Sequence, residues 1–94
     1  MPKNQPNSAP DAEIIALQSL NFLASDPDRI SRFMAITGLH PQDIRSRAGE
    51  APFLAGLLDY LRGDQGLLLT FAESAALDPA EIDAAYWKLT GGRQ

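Results

Sequence analysis

Apolar residues recur three and four positions apart along most of the chain, and the residues between these runs are ones that start and stop helices. From Asp11 to Ala24 the face is Ile14, Leu17, Leu20 and Leu23, with Asp11 placed to cap it. Asp26 and Pro27 then open a second helix, because proline at the first helical position gives up an N–H that has no partner there anyway. Ile30, Phe33 and Met34 point inward on it, and Gly38 ends it by tolerating the left-handed conformation. A short third helix starts at Pro41, turns Ile44 and Ala48 inward, and stops at Gly49. The fourth opens near Ala51 and Pro52, carries a broad face of Phe53, Leu54, Leu57, Leu58 and Leu61, and closes at Gly63. Asp64 caps a fifth helix, Gln65–Ala76, whose GLLLTFA run is apolar on nearly every side and predicts a central position. The sixth begins Asp78-Pro79-Ala80-Glu81, an acceptor at the cap and a carboxylate three residues on. It turns Ile82, Ala85, Tyr86 and Leu89 inward and ends before Gly91-Gly92. No stretch alternates as a strand would.

The pattern predicts an all-α chain: a compact bundle of five or six short helices. Residues 10–91 form one helical domain, preceded by a disordered tail over residues 1–9, rich in Pro, Asn, Gln and Ser, and followed by a short tail over 92–94.

The chain also echoes itself. Shifted by 38 residues, 12–48 lies on 50–86 without a gap. Leu20 meets Leu58, Leu23 meets Leu61, Asp26 meets Asp64, and Phe33 meets Phe71. Leu39, Pro41 and Ile44 meet Leu77, Pro79 and Ile82, and Phe22 meets Tyr60. The matched positions are core residues and caps, the parts that define a three-helix unit. This suggests two tandem units that pack on each other, since one alone cannot easily bury its apolar faces.

Composition acts mainly by exclusion. The chain has 94 residues, 45% hydrophobic and 21% charged, which suits a single small globular domain. Its net charge of −4 weighs against broad contact with nucleic acid or an anionic membrane, both of which need cationic surface. There is no cysteine, so disulfides and thiolate metal sites are out, and a reducing compartment is the expected home. MPKNQPNSAP carries no apolar core of a signal peptide, and no apolar run approaches the roughly 20 residues that a helical span needs. These features point to a cytoplasmic protein.

Phe33–Arg47 resembles the helix-turn-helix family of DNA-binding motifs, through Phe33, Gly38, Leu39 and Ile44. The resemblance implies that His40, Gln42 and Arg45 would face bases, with Arg47, Arg29 or Arg32 near phosphates. Several residues argue against it. Met34 stands where that family has a small side chain, Arg47 where a core residue is expected, and Asp43 would meet phosphates. The second copy of the turn carries Asp78, Glu81 and Asp83. One turn written twice with opposite charge is better read as a structural device, with Leu39 and Leu77 plugging the core and Pro41 and Pro79 starting helices.

The other candidates are few. Residues 1–49 hold five basic and five acidic side chains, while 50–94 hold three against seven. Arg29, Arg32, Arg45 and Arg47 are a candidate surface for an acidic partner, set against the plainer reading of a solvated face laced with Asp26, Asp28 and Asp43. Trp87 lies off the buried stripe of its helix and is either an interface anchor or a cover for the edge of the core. Phe22 and Tyr60 sit beside their main stripes, placed to pack between units or to mark a self-association surface. His40 is the only histidine and makes a poor zinc set with carboxylates alone; Asp78, Glu81 and Asp83 lack the spacing of a calcium loop. The serines have no nucleophile-elbow context and no glycine-rich phosphate loop is present, so neither catalysis nor a cofactor is expected.

Taken whole, the order of ALQSLNFLASDPDRISRFMAITGLHPQDIRSRA and then FLAGLLDYLRGDQGLLLTFAESAALDPAEI resembles a small alphaproteobacterial protein family of unknown function, across Ala12–Leu89. That resemblance implies a helical protein of a bacterial cytoplasm and brings no activity, ligand or functional residue with it. The expected function is a non-enzymatic protein-interaction module, its partner another protein or a second copy. The alternative is a nucleic-acid binder using residues 33–47.

Overall fold

The computed structural model describes residues 8–91; the expected tails over 1–9 and 92–94 lie outside the described residues except for Ser8 and Ala9, which belong to the first helix. Six helices follow one another: α1 (Ser8–Ala24), α2 (Pro27–Thr37), α3 (Pro41–Arg47), α4 (Ala51–Arg62), α5 (Gln65–Ser74) and α6 (Pro79–Leu89). No strand occurs among the described residues, and the all-α bundle is the architecture that the pattern predicts. α1 starts at Ser8, so Asp11 lies within the helix and not at its cap.

The helix starts obey the local chemistry closely. Asp26 accepts the backbone N–H of Asp28 at 2.9 Å, Asp64 accepts that of Leu67 at 3.2 Å, and Asp78 accepts that of Ala80 at 2.9 Å. These carboxylates satisfy donors that have no partner within the helix. The repeated phrase makes one bond twice: the His40 N–H donates to Asp43 at 3.0 Å, and the Asp78 N–H donates to Glu81 at 2.9 Å. Its leucines, Leu39 and Leu77, pack against the core from both turns.

The helix ends also match. Gly38 follows α2 with φ 76°, and 38 residues later Ala76 follows α5 with φ 57°. In the first, the Gly38 N–H donates to the Met34 carbonyl at 2.8 Å. In the second, Leu77 donates to Ala72 and Ala76 to Glu73, which is the Schellman arrangement.

The centre consists of α1, α4 and α6, each packed on the other two, with α2 laid on α1 and α5 on α4. Leu54, Leu57, Leu58 and Leu61 of α4 are all buried, as are Leu23, Phe33, Phe71 and Ile82. Two expectations about this core are corrected. The buried stripe of α1 is Ala12, Ala16, Ser19 and Leu23, while Ile14 and Leu17 are exposed. The stripe is small because α1 is approached by both α4 and α6, and small side chains let helix axes come close. Ser19 is fully buried there, and its hydroxyl donates to the Ala16 carbonyl at 2.6 Å, so it carries no unmet donor. The second correction concerns α5, which is not central. Only Phe71 and Ala72 of its apolar run are buried, and Leu69 is 46% exposed.

Two aromatic contacts tie the 38-residue halves together. Phe22 meets Phe71 with ring centroids 5.3 Å apart, and Phe33 meets Tyr60 edge-on at 5.0 Å. Because 22 and 60, and 33 and 71, are matched positions, this is one contact made reciprocally. Phe22 and Tyr60 thus pack between the halves, the first of the two roles expected of them.

The left-handed pair yields a stability test. An L-residue in this conformation costs about 1–2 kcal/mol, and glycine returns about 0.5–1 kcal/mol of that as chain entropy. Ala76→Gly is therefore expected to stabilise the protein by about 0.5–1 kcal/mol. Gly38→Ala should destabilise it by a similar amount, about 1 kcal/mol, through the backbone alone, since an added Cβ meets nothing within 4 Å. Urea unfolding of the two variants beside the natural chain measures both; a matching sign for the two would contradict the assignment.

Candidate functional site

The five sequence candidates fall in three places. Arg29 and Arg32 share a groove between α2 and the α4–α5 corner. Arg45 and Arg47 stand exposed on α3, and Trp87 lies on α6 beside Arg62.

The groove is built from two adjoining hollows of about 190 and 360 Å³ that share Arg32, Tyr60 and Asp64. Tyr60 and Leu67 supply apolar surface at one end. At the other stands Ile36, 65% exposed. Most charges around it are already engaged. Asp64 caps α5, and Asp59 takes an Arg62 N–H at 3.1 Å. The Arg29 guanidinium stacks 4.3 Å over the Phe22 ring, and its Nε lies 3.9 Å from Asp26. Arg32 forms no ion pair among the described residues. The groove thus offers the Arg32 guanidinium and the Asp28 carboxylate, neither in an ion pair among the described residues, beside a phenol and an exposed aliphatic side chain. This combination suits recognition by charge and apolar contact.

On α3, Ile44 is buried and Leu39, just before it, is half-buried; the helix shares no extensive interface with another. Arg45 and Arg47 form no ion pair among the described residues. Asp43, placed by the helix-turn-helix comparison at a groove face, is half-buried with one oxygen on the His40 N–H. The matched stretch of α6 presents exposed Asp78, Glu81 and Asp83.

Arg62 is a functional-looking residue that spacing did not reveal. Its Nε donates to Asp83 at 2.7 Å and its Nη1 to Asp59 at 3.1 Å. The same guanidinium lies 4.1 Å from the Tyr86 ring centre and 5.4 Å from that of Trp87. Trp87 is half-buried and meets Tyr86 edge-on at 5.0 Å, so it covers the core edge with its neighbour. A hollow of about 460 Å³ beside this cluster is lined in part by Arg62 and by Asp59 and Asp83, both of which accept from its guanidinium. Arg62 and Asp83 are 21 residues apart, so only the folded chain brings them together. Ile36 did leave a sequence signal, as an apolar residue off the Ile30, Phe33 and Met34 stripe of its helix.

Among the described residues, no three Asp, Glu, His or Cys side chains gather as a metal would require, and no helix is long and apolar enough to cross a membrane.

A family model described as a protein of unknown function (DUF3572) matches residues 9–92. The chain belongs to the DUF3572 family. Neither the curated proteins nor the solved structures include a significant match. The DUF3572 match spans all six helices, so α3, the groove and the Arg62 cluster are parts of one family domain. It assigns them no function, and nothing in the DUF3572 match or the structure favours the nucleic-acid alternative.

The division of the arginines has a measurable consequence. Arg62→Ala removes two ion pairs, the ring contact and the packing of a half-buried side chain, and should cost about 1–2 kcal/mol. Arg45→Ala and Arg47→Ala should each stay within about 0.5 kcal/mol of the natural chain. Thermal or urea unfolding of the three variants decides this; equal losses would mean that α3 is anchored through its arginines.

Proposed function

We propose that this DUF3572 chain is a non-enzymatic protein-interaction module that receives a partner in the groove between α2 and the α4–α5 corner. The observation that carries this is the juxtaposition of Ile36, 65% exposed, with Tyr60 and the ion-pair-free Arg32. A partner segment with an apolar residue for Ile36 and Tyr60 and a carboxylate for Arg32 fits the groove. Such a centre, an aromatic and an arginine around an aliphatic contact, has the composition of an interface hot spot. Arg45 and Arg47 extend the same preference for acidic surface.

On this reading the two 38-residue stretches are copies of one unit, alike in caps and core and diverged in surface charge. The lack of cysteine suits a reducing bacterial cytoplasm, and the order of the sequence segments suits an alphaproteobacterial source.

The test is affinity capture from a native bacterial lysate, with nuclease, comparing the natural chain with an Arg32→Glu/Ile36→Asp variant. Both positions are exposed, so the variant is expected to fold normally by circular dichroism. The expected result is a protein that survives nuclease and is lost, by about tenfold or more, with the variant. Equal capture by both chains would move the surface elsewhere, and enrichment that vanishes with nuclease would restore the nucleic-acid reading.

A further inference from the structure

Gly63 lies where two hollows meet. The hollow that holds Arg32, Ile36 and Tyr60 and the one beside the Arg62 cluster both have Asp59 and Gly63 in their lining. One side of this corner is the α2 groove; the other reaches Gln65, Leu68 and Asp83. The backbone does not need glycine here. Gly63 has φ −81° and ψ −5°, a right-handed conformation open to any residue. Packing does not need it either, because an added Cβ would meet nothing nearer than 3.6 Å. The matched residue is Ser25, which makes the same turn with a side chain. Its N–H donates to the Asn21 carbonyl at 2.9 Å, as that of Gly63 does to the Asp59 carbonyl at 3.0 Å. What the missing side chain leaves is a low saddle between the hollows, so that they form one continuous groove over the α4–α5 corner.

The two ends of this groove differ in charge. On the α2 side Arg29 and Arg32 stand against Asp28 and Asp64, an even balance. Ile36 and Tyr60 supply apolar surface there. Past Gly63, Asp59 and Asp83 share the single guanidinium of Arg62. Each gives it one oxygen, Oδ1, and the other oxygen of each forms no hydrogen bond or ion pair among the described residues. Their side chains are 62% and 54% exposed. The lining of this end therefore carries one carboxylate in excess, beside half-buried Leu68. A lysine or arginine suits such a place, with its stem on Leu68 and its charged head on the free carboxylate oxygens. We infer that the partner of the α2 groove binds through a segment that continues across Gly63 and sets a lysine or arginine side chain against Asp59 and Asp83. The inference rests on the α2 groove being a binding surface and adds the polarity of its occupant. A carboxylate meets Arg32, an aliphatic residue meets Ile36 and Tyr60, and a cation follows at the α6 end. Charge selects this occupant. A segment acidic throughout would meet the excess carboxylate past Gly63, and so would nucleic acid, with a phosphate at every nucleotide.

Selection from a displayed library of random peptides on the full chain tests this, with peptides of about twelve residues, enough to span both hollows at roughly 3.3 Å per residue. The expected peptides carry an acidic residue at one end, a lysine or arginine at the other and an aliphatic residue between them. Synthetic copies, measured by fluorescence anisotropy, should lose about threefold or more in affinity when the basic residue becomes glutamine, a difference that fades at high salt. Gly63→Gln, which fills the saddle, should weaken the same peptides by about tenfold or more. Its melting temperature should be unchanged or raised, since the fold does not need glycine there. A peptide cut back to its acidic and aliphatic residues should bind the natural, Gly63→Gln and Asp83→Asn chains alike. Peptides that need Arg32 and Ile36 but carry no basic residue, or that bind Gly63→Gln as tightly as the natural chain, overturn the inference and leave the α2 groove standing as a binding surface. Peptides indifferent to Arg32→Glu/Ile36→Asp, or a selection that yields none, overturn both.

Discussion

The fold rests on an exchange of rings between its two 38-residue stretches. Phe22 of α1 packs on Phe71 of α5, while Tyr60 of α4 packs on Phe33 of α2. Three short helices joined by tight turns have an apolar face on each helix and too little of themselves to cover it. Each stretch supplies the other's missing cover, and the leucines of α4 fill the space between. This is why the matched positions concentrate at buried and capping sites. A ring at 22 or 60 is useful only if one stands at 71 or 33 to receive it, whereas the surface between is free to change.

The exchange is symmetric, but the third helices are not. α6 runs for eleven residues and packs on α1 and α4 together. α3 stops after seven, at the residue before Ala48, because the chain must turn through Gly49 to start α4 at Ala51. Tyr86, Trp87 and Leu89 on the last turns of α6 therefore have no equivalents on α3; the matched positions are Ala48, Gly49 and Ala51. The identical start of the two helices, a proline with a carboxylate three residues beyond the cap, fixes where each begins. The connection that follows decides how far each goes. A helix-turn-helix outline arises from this constraint alone, since the buried residues of the turn are those needed to dock a short helix.

Much of the fold was legible because helix boundaries are set by local chemistry. Asp26, Asp64 and Asp78 act as caps where they stand, and Gly38 and Gly63 fall where helices end. What was not legible depends on neighbours. Ile14, Leu17, Leu20 and Leu23 recur every three residues, which falls short of the about 3.6 residues of a turn and winds from one side of the helix to the other. Only Leu23 therefore joins the inside stripe of Ala12, Ala16 and Ser19, whose small side chains let α1 approach both α4 and α6. In the same way the GLLLTFA run looks central, but α5 is only ten residues long and covers one side of α4, which leaves Leu69 outside. Of the candidate site, spacing indicated the arginines but not their circumstances. Arg29 is spent on Phe22 and Asp26, and Arg32 is not, a difference that one helix turn cannot show.

Those circumstances follow from where the carboxylates go. The chain is acidic overall, and a naive count would have every arginine paired. Yet Asp26, Asp43, Asp64, Asp78 and Glu81 each accept a backbone N–H at a helix start, and Asp59 and Asp83 both bind Arg62. Seven carboxylates are thereby held by capping or by a single guanidinium. A carboxylate at a helix N-terminus is stabilised there by the donors and the dipole it faces, and an exposed pairing with a lysine or arginine offers less. Helices this short have many ends per residue, so capping takes an unusual share of the acids. Capping does not exclude pairing, since Asp26 caps α2 and also lies 3.9 Å from Arg29, and Arg32, Arg45 and Arg47 form no ion pair among the described residues although Asp28 and Glu50 stand close to them in sequence without a cap bond of their own. These three arginines lie on α2 and α3, outside the central trio of α1, α4 and α6, where the packing of the core does not call on them.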